Sequence, residues 1–529
     1  MKNNIEVDVA TIPGVFEQAW LLAPEKEAIF DEKNRLSYRE IHSEAIHLAS
    51  GLVRLGIQKG DRIAVCLPNW NEFMTIFMAI AKVGAILIPL NTQYRLKEMR
   101  YILNNSGAKA IFCTSISEKV DLLQQLMEAK PSLPDLEHMI SVRLRHPSLL
   151  INYDDLLETG RGMSQSPEVN IDGSDIGAIL YTSGTTGEPK GVMLAHENLV
   201  KVATTAANKM RCTSDDVFLI PMPLFHIMGL MFMLRSIICQ GRLVLMEKYK
   251  AEKALELIQD EGVTIHPGVP TMFILELNSA NFAQYNLASL RTGEIAAAPC
   301  PVEIVRRIKS EMGCNIIVAY GMTETSANLT MTDFTDEDWL MAETVGTALP
   351  GAEIKIVNDD RVPVARGEVG ELACRSIGLM KGYYRMEEET YRSTDGDGWF
   401  YSGDLATMDE AGYVRIVGRK KEMIIRGGYN IYPREVEEIF YQHPGVLEVA
   451  VIGLPDTVLG EISCAVIRLK QADAITEQEL RDFASEKLAG YKVPTKIVFR
   501  DKMPMTSSGK ILKRELSELI QVELKRELR

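Results

Sequence analysis

Apolar residues in the first part of the chain recur at helical spacing in blocks, and each block is followed by a short continuous apolar run. The segment "LSYREIHSEAIHLASGLVRLG" carries leucine, isoleucine and alanine three and four residues apart. Ser37 and Glu40 are placed as a capping box at its start, and Gly56 sits where a helix should stop. The pattern predicts a helix there. It then predicts "RIAVCLP" as strand, "EFMTIFMAIAKVG" as helix, "AILIPL" as strand, "RLKEMRYILNNSG" as helix and "AKAIFCT" as strand. Such alternation points to a parallel sheet with helices packed on its faces.

The stretch near 125 to 170 is less regular, after which the rhythm resumes with "IGAILYT" as strand, "HENLVKVATTAANKM" as helix, "VFLIPMP" as strand and "GLMFMLRSIICQG" as helix. "RLVLME" as strand and "KALELIQDEG" as helix follow. A period kept over this length suggests two stacked α/β units. From about 340 the texture changes to short alternating strands with glycine-rich turns, "AEIKIVND", "GELACRS" and "GYVRIVG", which read as a small β subdomain. The basic, glycine-rich "GRKKEMIIRGGYNIYP" then precedes a fresh helix, "PREVEEIF", and a compact α+β pattern. The main boundary is placed at Lys420 and Lys421, giving domains 1–420 and 421–529.

A length of 529 residues with 46% apolar content fits this multi-domain α/β reading. The formal charge of −14, with no basic arm, argues against a nucleic-acid partner. The eight cysteines (66, 113, 212, 239, 300, 314, 374, 464) stand singly, without metal-ligand spacing, and read as buried thiols of a reducing compartment. The start, "MKNNIEVDVATIPGVF", lacks a signal-peptide pattern, so a cytoplasmic protein is expected. The most apolar runs are interrupted by Lys82, Gly84, Arg235 and Gly241, so core helices and strands are expected rather than membrane spans.

Candidate chemistry begins at "YTSGTTGEPKG", Tyr181 to Gly191, which leaves an apolar strand. Backbone N–H groups, hydroxyls and Lys190 there suit phosphate oxygens, although the spacing is not that of a Walker loop and a plain polar turn fits equally. "AYGMTET" puts Tyr320, Thr323 and Glu324 at the carboxyl end of a strand, where sheet folds gather ligand groups. Tyr320 suits a base, Thr323 a phosphate and Glu324 a Mg²⁺; a helix cap is the alternative. Asp404 in "WFYSGDLA" reads either as a ribose ligand or as a turn residue after Gly403. Lys510 in "PMTSSGKILKREL" is locally indistinguishable from a solvated surface lysine.

In their order, "YTSGTTGEPKG", "AYGMTET", "YSGDL", "GRKKEMIIRGGYNIYP" and "SSGKILKREL" resemble the motifs of the adenylate-forming superfamily, which includes acyl-CoA synthetases, aryl-CoA ligases, luciferases and peptide-synthetase adenylation domains. The resemblance runs from about 10 to 515. "LRTGEIAAAPCPVEIVRRI" and "WFYSGDLATMDEAGYVRIVGR" look most like the medium-chain fatty acyl-CoA synthetase branch. It implies a large N-terminal domain of two stacked α/β subdomains plus the β subdomain, with a small mobile α+β C-terminal domain. It also implies ATP, Mg²⁺ and coenzyme A, and it is compatible with a homodimer.

On that resemblance, Thr182, Ser183, Gly184, Thr185, Thr186, Gly187 and Lys190 hold the β- and γ-phosphates. Thr323 contacts the α-phosphate and Glu324 binds Mg²⁺. Tyr320, Gly321 and Met322 with Ala297, Ala298 and Pro299 enclose the adenine, while Asp404 and Arg419 bind the ribose. Lys510 bridges the carboxylate and α-phosphate in the first half-reaction, then leaves as the C-terminal domain turns about Lys421. Gly427 and Gly428 line the thiol tunnel. The acid lies against Phe225, His226, Ile227, Met228 and Gly229, against Val269 and Ala296 to Ala298, and against Thr325, Ser326, Ala327 and Asn328. Mostly small or flexible apolar walls favour a fatty acid, medium chain first, with an aryl acid as alternative; a carrier protein is the alternative acceptor. His226 stands where amino-acid activators carry an aspartate, which disfavours an α-amino acid, and it reads as a structural or gating residue. Glu294 replaces a usual apolar residue, Ala297 a common glycine, and Asn328 is expected to meet a polar group on the substrate.

Overall fold

The computed structural model describes residues 5–117, 120–144, 150–161, 169–182, 188–298, 300–470, 475–505 and 511–527. The apolar runs "RIAVC", "ILIP" and "AIFC" form the parallel strands Arg62–Cys66, Ile86–Pro89 and Ala108–Cys113, almost wholly buried. Strands covered on both faces need such continuous apolar sequence. They sit inside an eight-stranded sheet that extends on one side through His138–Ser141 to Ile151–Asn152. On the other side come Ile176–Thr182, Lys190–Ala195 and the edge strand Gly382–Tyr383.

A second sheet starts with Arg35–Ser37 and Glu27–Phe30 and continues through Arg242–Leu245 to Val217–Ile220. Single bridges at Ile265 carry it in parallel to Thr292–Ile295 and Asn315–Tyr320, and Thr330–Met331 and Thr347–Ala348 close it antiparallel. The two α/β units are therefore not successive halves of the chain. The early strands belong to the second sheet, and Ile176–Thr182 belongs to the first. Helix Ile227–Ile238 has every residue buried, within a core cluster that draws on strands of both sheets.

Helix Tyr38–Arg54 carries the expected capping box, with Ser37 Oγ accepting from Glu40 N at 3.2 Å and Glu40 Oε2 accepting from Ser37 N at 2.7 Å. The stretch read as irregular contains helices Leu122–Ala129 and Tyr153–Arg161 around strand His138–Ser141, elements too short to show a period. Ala352–Val357, Gly370–Ser376, Phe400–Met408 and Val414–Arg419 make the expected small β subdomain, with its strands antiparallel. Sheet membership changes between Arg419 and Ile424: the last sheet joins Ile424–Arg426 and Tyr429–Ile431 to the long pair Val446–Asp456 and Gly460–Leu469, with Lys496–Phe499 beside them. It has its own core clusters. All eight cysteines are free and buried, and no helix among the described residues is long and apolar enough to cross a membrane.

His196 opens helix His196–Lys209 with no exposed surface, its Nδ1 accepting from Ile12 N at 3.4 Å. Burial lowers its pKa to about 4, against the pull of Asp175. The folded chain therefore refuses a proton that the unfolded chain accepts near 6.5. Stability from the neutral ring is complete above that pH and is lost as pH falls towards 4, a difference of about 3 kcal/mol. Urea midpoints between pH 7 and pH 4 should fall less steeply for His196→Gln than for the parent; parallel curves would remove His196 from the acid response.

Candidate active site

Strand Asn315–Tyr320 delivers Tyr320 at its carboxyl end, and the chain then doubles back tightly. A Cβ on Gly321 would lie 1.9 Å from the Ala327 carbonyl oxygen, so only glycine fits. A 3-10 turn, Thr323–Thr325, follows, and Ser326 and Ala327 are both left-handed, with φ of 56° and 77°. Tyr320 Oη donates to Asp404 Oδ2 at 2.7 Å, and Arg419 Nε lies 3.4 Å from Asp404 Oδ1. Burial and the adjacent Asp404 raise the Tyr320 pKa well above its ordinary value, so the phenol keeps its proton.

Asp404 lies neither after a strand nor in a turn. It sits inside strand Phe400–Met408, opposite Arg419, at an irregularity over 402–404 where Ser402 Oγ donates to Leu372 O and Gly403 N donates to Glu371 Oε1. A bulge held by side chains aims a strand residue at a site without ending the strand.

The segment expected to bind phosphates joins two paired strands. Ile176–Thr182 pairs antiparallel with Lys190–Ala195, Thr182 opposite Lys190 and Tyr181 opposite Gly191. The second of these strands was not expected from the sequence. Ser183 to Gly187, Pro299 and Lys510 lie outside the described residues. Lys190 Nζ pairs with Glu389 Oε2 at 2.5 Å and stands 5.1 Å from the centre of the Tyr383 ring. Tyr383 Oη in turn donates to Glu324 Oε1 at 2.8 Å, and burial with the Glu324 charge raises its pKa. The edge strand Gly382–Tyr383 thus sets one tyrosine between Lys190, near its ring, and Glu324, at its hydroxyl. Sequence reasoning missed Tyr383 and Glu389; their only signal is an aromatic pair followed by an acidic run in "GYYRMEEETY".

Among the described residues no cluster of three or more His, Cys, Asp or Glu side chains could hold a metal. Glu324 beside Thr323 is nonetheless a fitting donor for Mg²⁺, which usually takes one or two carboxylates and completes its shell with phosphate and water.

The pairing of Lys190 with Glu389 has a kinetic consequence. If Lys190 takes phosphate oxygens, as the resemblance implies, they have to win its ammonium from a partly buried carboxylate, at a cost of order 1 kcal/mol. Glu389→Gln should lower the KM for ATP by about fivefold with kcat changed far less. An unchanged KM in steady-state assays would show that the pair does not compete with the nucleotide.

Of the residues expected to face the acid, His226 is half-buried and caps helix Ile227–Ile238, its Nδ1 accepting from Met228 N at 3.3 Å. Ile227, Met228 and Gly229 follow on the buried first turn, Ala296 and Ala327 are half-buried, and Ala297 (φ 69°) and Ala298 are exposed. Asn328 is not a free polar group. Its Oδ1 accepts from Arg235 Nη2 and its Nδ2 donates to Glu294 Oε1 at 3.1 Å, so both ends of the amide are engaged.

Gly427 and Gly428, with φ of 56° and 87°, form the two-residue turn of the hairpin Ile424–Arg426/Tyr429–Ile431. A Cβ on Gly428 would meet nothing within 4 Å, so here the backbone, not crowding, asks for glycine. Just upstream, Lys420 pairs with Asp359 at 2.7 Å and Glu371 at 3.1 Å, on the N-terminal side. Glu422 lies 3.6 Å from Lys513, which also holds Glu437 at 2.7 Å, on the C-terminal side. Lys421 stands between these two anchorages.

The AMP-binding enzyme family matches residues 16–384, and the AMP-binding enzyme C-terminal domain matches 435–510. The chain is 36% identical to the mitochondrial medium-chain acyl-CoA ligase ACSF2 of Mus musculus, over 95% of this chain and 86% of that protein. It is 33% identical to the medium-chain fatty-acid-CoA ligase of Escherichia coli (strain K12), over 95% and 89%. In fold it is similar to the anthranilate CoA ligase AuaEII solved with anthranoyl-AMP, with a TM-score of 0.88 at 27% identity, covering 96% of this chain and 97% of that one.

Proposed function

The chain belongs to the AMP-binding enzyme family and is an ATP-dependent acyl-CoA synthetase, and from that premise we propose that its acid is an unbranched medium-chain fatty acid. What supports this choice is that helix Ile227–Ile238, which begins at the expected acyl residues, buries Met228 and Met231 on neighbouring positions of its surface beside leucine and isoleucine. Methionine is flexible and polarisable and adapts to an alkyl chain. The two medium-chain ligases among the relatives support the same reading. An aryl acid is the second reading, favoured by the likeness to the anthranilate ligase.

The carboxylate attacks the α-phosphorus of ATP, pyrophosphate leaves, and the resulting mixed anhydride is an acyl donor that the acid itself is not. Lys190, Thr182 and the loop between them neutralise the departing pyrophosphate, and Thr323 donates to the α-phosphate. Glu324 holds the Mg²⁺, which when bound offsets the charge of the phosphates. Asp404 has lone pairs to spare beyond Tyr320 and Arg419, and these accept the ribose hydroxyls. Lys510 draws the two anions together. The C-terminal domain then turns about Lys421, the lysine leaves, and the thiol of coenzyme A enters past Gly427 and Gly428 to displace AMP.

An acid labelled with ¹⁸O in its carboxylate tests the sequence of bonds. The adenylate route transfers one label to AMP, read by mass spectrometry. Unlabelled AMP would refute it.

A further inference from the structure

Arg235, Glu294 and Asn328 form a closed ring of side chains with at most 2% of each exposed. Arg235 Nη1 donates to Glu294 Oε2 at 2.6 Å, Arg235 Nη2 donates to Asn328 Oδ1, and Asn328 Nδ2 donates to Glu294 Oε1 at 3.1 Å. The guanidinium carbon lies 4.2 Å from the centre of the Phe232 ring. An ion pair this deep is weak evidence for stability, since apolar residues of equal volume hold a core as well or better. The ring therefore needs another reason.

Its placement supplies one. On helix Ile227–Ile238, Met228, Phe232 and Arg235 are spaced i, i+4, i+7 and share one face, so Arg235 lies two turns, about 10 Å, beyond the expected acyl wall. Glu294 lies in strand Thr292–Ile295 and Ala296 directly follows its end, where Ala296 N continues the pairing to Gly268 O at 3.3 Å, so the two, two residues apart, point to the same side. Asn328 follows Ala327 directly. Three of the four segments that carry expected wall residues thus meet in the ring, Arg235 and Glu294 lying deeper than those residues and Asn328 being one of them.

We infer that the Arg235–Glu294–Asn328 ring is the floor of the acyl pocket and sets the length of acid the enzyme accepts. This rests on the functional reading above. Methionine walls shift to admit another methylene, but the ring cannot, because a displaced member leaves a buried charge unpaired. The pocket is soft at its sides and hard at its end. Ten ångströms of depth suits a medium-length alkyl chain.

The test is kcat/KM, by AMP release, for straight-chain acids from acetate to palmitate. For the parent, each added methylene should raise kcat/KM by up to about fourfold until the floor is reached, after which it should fall at least tenfold within two or three carbons. A profile that keeps rising to palmitate would overturn the floor without any variant. Replacing the whole ring, Arg235→Met with Glu294→Leu and Asn328→Leu, should move the optimum to longer acids and raise the ratio of palmitate to the parent optimum at least tenfold. A folded triple variant with the parent ranking would overturn the assignment. Absence of AMP from every acid would instead overturn the functional reading itself, and the floor with it.

Discussion

Lys510→Ala should lower acid-dependent pyrophosphate release by about a hundred- to a thousandfold, the usual loss when one preorganised donor is taken from a charge-stabilised transition state. The same variant should convert added acyl-adenylate to thioester at a rate near that of the parent. The carboxylate and the α-phosphate are both anions and must come within bonding distance, and a point cation between them offsets a repulsion that water would otherwise screen. Once the anhydride exists, that need is gone. Lys513 is held by Glu437 and lies close to Glu422, next to Lys421, the residue proposed as the hinge. Equal loss in both half-reactions would remove Lys510 from its assigned role.

Arg235→Met alone should destabilise the N-terminal domain by about 3–5 kcal/mol, read as a lower urea midpoint, because Glu294 is left charged and unpaired in the core. Adding Glu294→Leu and Asn328→Leu should restore most of that loss. The recovery is the signature of an ion pair whose two halves depend on each other, and it separates the ring from an ordinary packing position, where successive truncations accumulate. A triple variant less stable than Arg235→Met would contradict this account of the ring.

Local sequence carried much of the fold. The Ser37 and Glu40 box begins its helix as expected, and "IGAILYT" is a strand over its whole length, Ile176–Thr182. What failed was decided at a distance. "KGVMLA" is short and runs into a helix, and it is a strand because Ile176–Thr182 pairs on one side and Gly382–Tyr383, far along the chain, on the other. Asp404 beside Gly403 looks like a turn from its neighbours alone; Ser402 and Glu371 make it a bulge.

The site shows the same division. Tyr320, Glu324 and Asp404 are singled out by type and order in short motifs, and the structure sets Tyr320 against Asp404. Tyr383 and Glu389 could not, because an edge strand and a following helix bring them to Lys190 and Glu324. Glu294 and Asn328 stood out separately as polar residues in apolar company. That they share Arg235, 59 and 93 positions away in sequence, is a product of three elements meeting in the core.

The most direct test of the central claim is acid-dependent AMP release by the parent protein with ATP, Mg²⁺ and coenzyme A, comparing acetate, octanoate, palmitate, benzoate and anthranilate by kcat/KM. Equal amounts of acyl-CoA and AMP are expected, with octanoate foremost. Benzoate or anthranilate foremost, or no AMP with any of the five, would contradict it.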